Sequence, residues 1–324
     1  MQKNKLTLIL KIIGSVAILG LLISRTSWDF ESFQKIYQDI DVPIYCISLS
    51  GVIILLFLKS IRWKLLLREE KCEYPYFSTF LAYMSSYTIG LLTPGRVGEI
   101  ARLYYVRQER EISFYKTFKT IVKDRIFDFS ILIWFGLSGL LFFYKVLNGL
   151  QAYMYVIICA AIILITWIIG RIILNKIKND NLFFSFLRES WNTMFNRRMI
   201  YPWLLTFLSY LVSFIANWVI LKALNQTIDI VEVGFILSIM SLITLIPITL
   251  AGFGTREASL IFLFSFYLLS PETAIVFSLL QFTSFFLWGG IIGWVFWMIK
   301  PVSFSMIRQD AAKLVSLLKR EKTV

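Results

Sequence analysis

The sequence predicts an all-α polytopic membrane protein with six full spans and two re-entrant broken-helix hairpins, arranged as an inverted repeat with both termini cytoplasmic. Three observations support this prediction. Apolar residues form blocks long enough to cross a bilayer, lysine and arginine are concentrated in a few segments, and two blocks are interrupted by glycine and proline. The 324 residues are 58% hydrophobic, with a mean hydropathy of +0.72, which is more apolar than a soluble domain.

The composition also excludes several classes of protein. The net charge is +13, but the basic residues flank apolar blocks instead of forming one stripe, which favours membrane orientation over nucleic-acid binding. The chain has no histidine, and Cys46, Cys72 and Cys159 have no metal-ligand spacing. Histidine-based triads, most zinc sites and haem ligation are therefore excluded. No P-loop motif is present, and we predict no metal and no cofactor.

The full spans follow from block length, since about 20 apolar helical residues cross a hydrocarbon core of ~30 Å. The first block resembles a signal peptide, but it is too long and no small-x-small cleavage site follows it, so we expect a retained span. The six predicted spans are residues 6–24, 42–58, 126–144, 152–174, 201–221 and 274–299.

The basic residues determine the predicted topology. Of the 33 Lys and Arg, 13 lie in residues 59–125, 6 in residues 171–198 and 6 in residues 300–322. The positive-inside rule places these segments, and the basic N-terminal stretch, in the cytoplasm. Residues 1–299 are then a single transmembrane domain, followed by a basic amphipathic tail at 300–324. The tail and residues 176–198 have the pattern of helices that lie on the membrane surface.

The first hairpin resolves a conflict in this charge pattern. The apolar block at 77–92 lies between two basic segments, so a full crossing would put one of them outside. We therefore predict that the chain breaks at 93–95 and returns to the cytoplasm through residues 97–106.

The second hairpin follows from the same argument on the external side. Residues 222–232 and 270–273 are both poor in lysine and arginine, so both are expected outside. The block at 233–250 then enters the membrane, breaks at 251–254 and returns through residues 258–269. Paired broken helices in opposite orientations indicate an inverted-repeat transporter.

The first break combines residues that favour an anion site. Thr93 is the expected N-cap, Pro94 the first helical residue, and Gly95 and Gly98 allow close backbone approach. Bare N–H groups and the positive end of a helix dipole attract anions, and Arg96 adds a guanidinium that fits phosphate. Glu99 and Arg102 are three residues apart and can pair on one helix face. The alternative is a capped turn held by an internal ion pair.

The second break has Thr255 as the expected cap, with Arg256 and Glu257 in the first turn. Arg256 is the only basic residue between Lys222 and Lys300. A charge at membrane depth is expensive, so its presence beside Gly252 and Gly254 favours a functional role.

A third group of charges precedes the span at 126–144. Asp124 and Asp128 are one turn apart, and Arg125 can pair with Asp128. These carboxylates are candidates for proton coupling, although an interfacial helix start is the alternative. Arg62 can reach a lipid phosphate or serve as an ordinary interfacial anchor.

Three of these motifs resemble those of a known membrane protein family. T-P-G-R-x-G-E-x-x-R at 93–102, K-D-R-x-x-D at 123–128 and G-F-G-x-R-E-A-S at 252–259 occur in the order seen in a flippase-like membrane family. The resemblance covers residues 6–299 and includes the transmembrane part of the bacterial lysylphosphatidylglycerol synthase, the multiple peptide resistance factor. It implies lipid translocation, or service to lipid-linked glycan pathways, in a prokaryotic plasma membrane. The synthase also carries a soluble aminoacyl-transfer domain, whereas this sequence ends at Val324 with a short tail.

The sequence therefore predicts a transporter, not an enzyme, that moves an anionic phospholipid or a polyprenyl-phosphate-type lipid between leaflets. Its expected partners are membrane lipids, with no nucleic acid, and either a second copy or an enzyme of a lipid or glycan pathway. A non-transporting partner protein and a lipid-linked glycosyltransferase are the alternatives. The predicted substrate-binding residues are Thr93, Pro94, Gly95, Arg96, Gly98, Glu99, Arg102, Gly252, Gly254, Thr255, Arg256 and Glu257, and the candidates for proton coupling are Asp124, Arg125 and Asp128.

Overall fold

The computed structural model describes residues 29–93, 98–110, 112–148, 182–194, 196–245 and 252–302, with positions 20, 158, 161, 165, 168–173, 176 and 249. All regular elements in these residues are helical. Apart from those single positions, the predicted spans at 6–24 and 152–174 lie outside the described residues, as does the tail from residue 303 onward.

Eleven helices are numbered here in chain order. They are α1 (Phe30–Gln38), α2 (Val42–Glu69), α3 (Tyr76–Leu91), α4 (Ala101–Glu109), α5 (Phe114–Asn148), α6 (Leu182–Thr193), α7 (Ile200–Ala223), α8 (Ile230–Thr244), α9 (Thr255–Ser265), α10 (Pro271–Phe282) and α11 (Gly289–Ile299). A short 3₁₀ turn, Arg197–Met199, precedes α7. A π-helical segment, Thr283–Trp288, joins α10 to α11.

Four helical stretches are long and apolar enough to cross a membrane. They are Val42–Glu69, Tyr115–Tyr144, Arg197–Ala223 and Pro271–Ile299, and they contain four of the six predicted spans. Their most apolar windows are only 33–44% buried, so most of each helix faces outward. The outward residues include Ile53, Ile133 and Phe207, and such extensive exposed apolar surface fits contact with lipid.

The four helices on either side of the two breaks are too short to span. α3, α4, α8 and α9 have 16, 9, 15 and 11 residues, or about 24 Å at most at ~1.5 Å per residue, against a hydrocarbon core of ~30 Å. α3 packs against α4, and α8 packs against α9. The two interrupted blocks therefore form two helical hairpins. α3 ends at Leu91, close to the predicted break at 93–95, whereas α8 ends at Thr244, earlier than the predicted break at 251–254.

The helix starts after both breaks differ from the prediction. α4 begins at Ala101, after a 3₁₀ turn at residues 98–100, and its N-cap is Ile100 without a side-chain cap. Thr93 Oγ1 instead accepts the Gly98 N–H at 2.7 Å, so it holds the turn and does not cap the helix.

α9 is capped by Gly254 and not by Thr255, which is the first helical residue. The cap position has φ of +90°, and Gly252 has φ of +81°. Only glycine adopts this region without strain, which is why the expected threonine cap is wrong.

The chain contains two compact units. Four of their five boundaries, at 53/54, 134/135, 210/211 and 289/290, fall within the long helices, and the fifth, at 149/150, lies outside the described residues. One unit contains the α3–α4 hairpin and the other the α8–α9 hairpin. In the α3–α4 unit, an apolar cluster anchors α6 near the end of α2 and the start of α7. Its buried members are Leu66, Phe127, Met194 and Met199.

Within the α3–α4 unit, α11 packs closely on α3. Thr88 Oγ1 donates to the Gly290 carbonyl at 2.8 Å, and the Phe80 and Phe296 rings meet edge to face at 5.1 Å. A Cβ added at Gly293 would lie 2.5 Å from the Met84 carbonyl oxygen. Small residues permit this approach, as is common between membrane helices.

We expect Gly293→Ala to lower stability by about 1–3 kcal/mol, because the added methyl group overpacks a backbone contact. Gly290→Ala is the matched control in the same helix, since a Cβ there meets only Leu91 Cδ1 at 3.4 Å. Thermal unfolding in detergent should show a lower midpoint for the Gly293 variant and an unchanged or higher midpoint for the control. Equal midpoints would show that this contact relaxes freely.

Candidate functional site

A closed ring of alternating charges lies in the α3–α4 unit. Its cations come from three helices, and its carboxylates come from α5 and from the turn before α4. We call this set the charge ring; its members in order of contact are Arg62, Asp124, Arg102, Glu99, Arg125 and Asp128.

Arg62 occupies the most deeply buried position of the ring. Its side chain and that of Asp124 are both 0% exposed. Arg62 Nε donates to Asp124 Oδ1 at 2.9 Å, and Nη1 donates to Asp128 Oδ1 at 2.9 Å. Nη1 also reaches Thr206 Oγ1 on α7 at 3.0 Å. Asp124 and Asp128 can share this guanidinium because residues four apart lie on one helix face.

The other half of the ring joins α4 to α5. Arg102 Nη1 donates to Asp124 Oδ2 at 3.0 Å, and its Nη2 donates to Glu99 Oε2 at 2.6 Å. Glu99 Oε2 also pairs with Arg125, and Arg125 Nη1 lies 3.8 Å from Asp128 Oδ2. The predicted pairs Glu99–Arg102 and Arg125–Asp128 are therefore both present.

The charge ring is neutral by itself, and Lys59 beside it adds a positive charge. Lys59 Nζ donates to both oxygens of Asp128 at 3.0 Å. Counting Lys59, the group has four cations and three carboxylates, a formal charge of +1. Aromatic rings cover part of it, with the Arg102 guanidinium 4.6 Å from the Tyr83 ring centroid. Such faces stabilise a desolvated cation.

A second set of ion pairs extends the charged region along α5. Lys123 Nζ lies 2.6 Å from a Glu69 oxygen and 2.9 Å from a Glu70 oxygen. Lys119 pairs with Glu70 at 3.1 Å and with Glu189 of α6. Lys123 and Asp124 are buried, and α5 begins at Phe114. These charges therefore lie within α5 and not at its start, and their placement at the membrane interface stays the alternative to proton coupling.

The α8–α9 unit contains a separate, smaller polar site at the start of α9. Arg256 Nε and Nη2 donate to Glu257 Oε1 at 3.1 and 2.8 Å. Ser278 of α10 accepts from Arg256 Nε at 2.7 Å and donates to Glu257 Oε1 at 2.6 Å. Glu257 Oε2 accepts the Gly254 N–H at 2.6 Å. The carboxylate thus fixes both the arginine and the strained cap.

The surroundings of Arg256 are aromatic and tightly enclosed. Its guanidinium carbon lies 5.3 Å from the Phe253 ring centroid and 5.4 Å from that of Phe282. The residue is 7% exposed. Among the described residues Nη1 has no hydrogen-bond partner. Thr249 and Thr255 share a hydrogen bond at 3.0 Å beside the glycine turn.

The structure groups the predicted residues in two places. Thr93, Gly98, Glu99 and Arg102 lie with Asp124, Arg125 and Asp128 in the α3–α4 unit, whereas Gly252, Gly254, Thr255, Arg256 and Glu257 lie in the α8–α9 unit. Pro94, Gly95 and Arg96 lie outside the described residues. Substrate binding and proton coupling by these residues stay predictions.

Sequence reasoning missed three partners. Arg62 was interpreted as a lipid-facing or anchoring residue, but it is a fully buried member of the ring. Lys59 and Ser278 were not identified at all. Arg62 and Lys59 lie over 60 residues from their carboxylates, and local spacing gives no signal for such pairing. The four-residue spacing of Asp124 and Asp128 was the available signal that a cation from elsewhere would bind there.

Comparison with known proteins shows a family and a relative that this chain resembles. The model of the family described as the lysylphosphatidylglycerol synthase TM region matches residues 8–293. The chain is also similar to the UPF0104 membrane protein MJ1595 of Methanocaldococcus jannaschii. The two are 24% identical over 265 residues, which cover 73% of this chain and 78% of the relative.

We expect Arg62→Ala to cost about 3–5 kcal/mol, because it removes the buried cation that Asp124 and Asp128 share and leaves the acceptors it bonded without a donor. Arg68→Ala, which removes an exposed arginine of the same helix, should change stability by no more than about 0.5 kcal/mol. Denaturant or thermal unfolding in detergent measures both. If the Arg62 variant is as stable as the Arg68 variant, the ring does not stabilise the fold.

We expect Gly254→Ala to lower stability by about 1–3 kcal/mol, since alanine is strained at φ of +90°. The control is the same substitution at a glycine with helical backbone, Gly290→Ala. The unfolding midpoint checks the result. A stable Gly254→Ala protein would mean that the turn can take another conformation.

Proposed function

Because this chain belongs to the family of the lysylphosphatidylglycerol synthase transmembrane region, we propose that it moves an anionic lipid between membrane leaflets. The cargo is a phospholipid or a polyprenyl-phosphate-type lipid. The proposed architecture is the one predicted from the sequence, with six spans, two re-entrant hairpins and cytoplasmic termini. Four helices of spanning length and two hairpins of short helices support it.

The observation on which the proposal depends is the guanidinium of Arg256. It lies almost completely buried at the first turn of a helix too short to span, beside two glycines with positive φ. Burying a charge at membrane depth costs at least ~2.5–3.5 kcal/mol. Irregular backbone at that depth is tolerated only inside protein or beside a wet cavity. A segment that has both a buried charge and irregular backbone, in spite of these costs, is a candidate ligand site.

The chemistry of this site suits a phosphate group. Guanidinium binds phosphate through two parallel hydrogen bonds, and the helix start adds the positive end of its dipole. We propose that Glu257 and Ser278 hold Arg256 when the site is empty, and that a lipid phosphate replaces part of these contacts. The acyl chains remain in the bilayer. In the first hairpin, Arg96 is the proposed counterpart.

The charge ring has a different place in the proposal. Each of its charges already has a partner of opposite sign, so we propose that the ring positions the α3–α4 hairpin and stabilises it. The positive charge of Lys59 beside the ring supports a nearby anion. Proton coupling through Asp124, Arg125 and Asp128 is a further proposal, and downhill movement of the lipid is its alternative.

Reconstitution in liposomes tests the function. Purified protein is incorporated into vesicles with a fluorescent phosphatidylglycerol analogue, and an impermeant quencher then measures movement of the label between leaflets. We expect protein-dependent movement that falls at least tenfold in Arg256→Ala, since a buried charge-assisted hydrogen bond contributes about 1.5–3 kcal/mol. Arg197→Ala, which removes an exposed arginine outside both hairpins, should move lipid at the wild-type rate.

Loss of folding must be separated from loss of transport. The double variant Arg256→Gln/Glu257→Gln removes both charges and keeps hydrogen-bonding groups, so its unfolding midpoint should stay near that of the wild type while movement is lost. Unchanged movement in both variants would overturn the assignment of Arg256. Lipid that copurifies without moving would support the partner protein instead, and product formed from a sugar donor would support the enzyme.

A further inference from the structure

A cavity of about 380 Å³ lies at one end of the α3–α4 unit, away from the residues of the charge ring. It is formed by the last turns of α2, the connection from α2 to α3, and the residue that follows α4. Its lining residues are Lys64, Arg68, Cys72, Glu73, Tyr74, Pro75 and Arg110.

The cavity is strongly positive and its cations are available. Lys64, Arg68 and Arg110 face one carboxylate, that of Glu73, which gives a formal charge of +2. Among the described residues none of the three forms a salt bridge, in contrast to the ring, where every guanidinium is paired. The Lys64 ammonium lies 5.5 Å from the Tyr76 ring centroid, a contact that leaves its hydrogen-bonding capacity open.

The walls of the cavity are fixed by the fold. The Cys72 N–H donates to the Leu67 carbonyl at 3.0 Å, and Lys71 has φ of +60°, so the chain turns sharply at the end of α2. Tyr74 Oη donates to the Tyr105 carbonyl at 3.3 Å. Burial, and then the nearby Glu109 carboxylate, raises the pKa of Tyr74, which therefore stays neutral. The site is consequently formed before any ligand arrives.

The position of the cavity along α2 suggests the source of a ligand. Lys64 and Arg68 follow the apolar block at 42–58 and belong to the most basic segment of the chain. Basic residues at the end of a span lie at the level of lipid head groups on the cytoplasmic side. A lipid phosphate at this depth would meet three cations and lower the local excess charge.

We propose that this cavity binds a phosphate group, that of an anionic phospholipid in the adjoining leaflet, through Lys64, Arg68 and Arg110. Arginine and lysine together supply bidentate and point-charge contacts to phosphate oxygens. The site uses none of the residues assigned to transport, so it stands whether or not the protein moves lipid.

Cys72 provides a direct reporter of occupancy. It lines the cavity and is 5% exposed, so a bound head group should block access to its thiol. Burial raises the pKa of Cys72, against the opposing effect of Arg110, so alkylation is measured at about pH 8.5, where more thiolate is present. Replacing Cys46 and Cys159 by serine leaves Cys72 as the only thiol.

The experiment compares alkylation rates by N-ethylmaleimide in phosphatidylcholine vesicles with and without phosphatidylglycerol. We expect about tenfold slower alkylation when the anionic lipid is present at ten times its dissociation constant, because the rate follows the unoccupied fraction. In Arg68→Ala/Arg110→Ala the two rates should become equal. A third arm adds inorganic phosphate to phosphatidylcholine vesicles, and protection there would identify free phosphate as the source.

The control separates specific binding from surface potential. Arg197→Ala/Arg198→Ala removes two exposed charges elsewhere in the same predicted cytoplasmic surface, so it should retain the full difference between the two vesicle types. The proposal would be overturned if the protein that retains Arg68, Arg110, Arg197 and Arg198 were alkylated at the same rate in both vesicle types and with phosphate. A difference that persists unchanged in Arg68→Ala/Arg110→Ala would overturn it as well.

Discussion

The pairing of buried charges is the constraint on which the α3–α4 unit depends. Arg62 is fully enclosed by three helices, and a guanidinium in such surroundings is stable only if its hydrogen bonds are met by carboxylates. Two acids on one face of α5 and a hydroxyl on α7 meet this need. One of these acids, Asp124, also binds Arg102, so the contact that fixes α2 also fixes the hairpin helix α4.

The α8–α9 unit meets the same requirement by local means. Arg256 and Glu257 are neighbours in sequence, and Ser278 closes the contact from α10. Because Glu257 also accepts the Gly254 N–H, the ion pair and the left-handed turn depend on each other. The first site is thus a network between distant segments, whereas the second is a single arginine held by its own helix start. Only the second leaves a guanidinium edge without a partner in the described residues, and this difference is why we assign the lipid phosphate to Arg256.

Much of the fold could be predicted because its determinants are local. The length of the apolar blocks predicted four of the long helices, and the glycine and proline positions predicted that two blocks are interrupted. Pairs at short spacing, such as Glu99–Arg102, were also predictable. Two classes of feature were not. The first is the cap of α9, where Thr255 suggested a threonine cap but the cap position has a positive φ. The second is the pairing of Arg62, whose carboxylate partners lie on another helix. α5 also begins at Phe114, before the apolar block at 126, because Lys119 and Lys123 in this part of the helix pair with carboxylates of other segments.

The alternation of sign around the charge ring has an evolutionary consequence. Each member lies between two residues of opposite charge, so a substitution at one position disturbs two others on different parts of the chain. Loss of Arg62, for example, makes a neutral residue at 124 or 128 advantageous, although either change alone is harmful. Such reciprocal dependence is sign epistasis. Among descendants of one ancestor, these positions should either persist together or drift as coordinated sets.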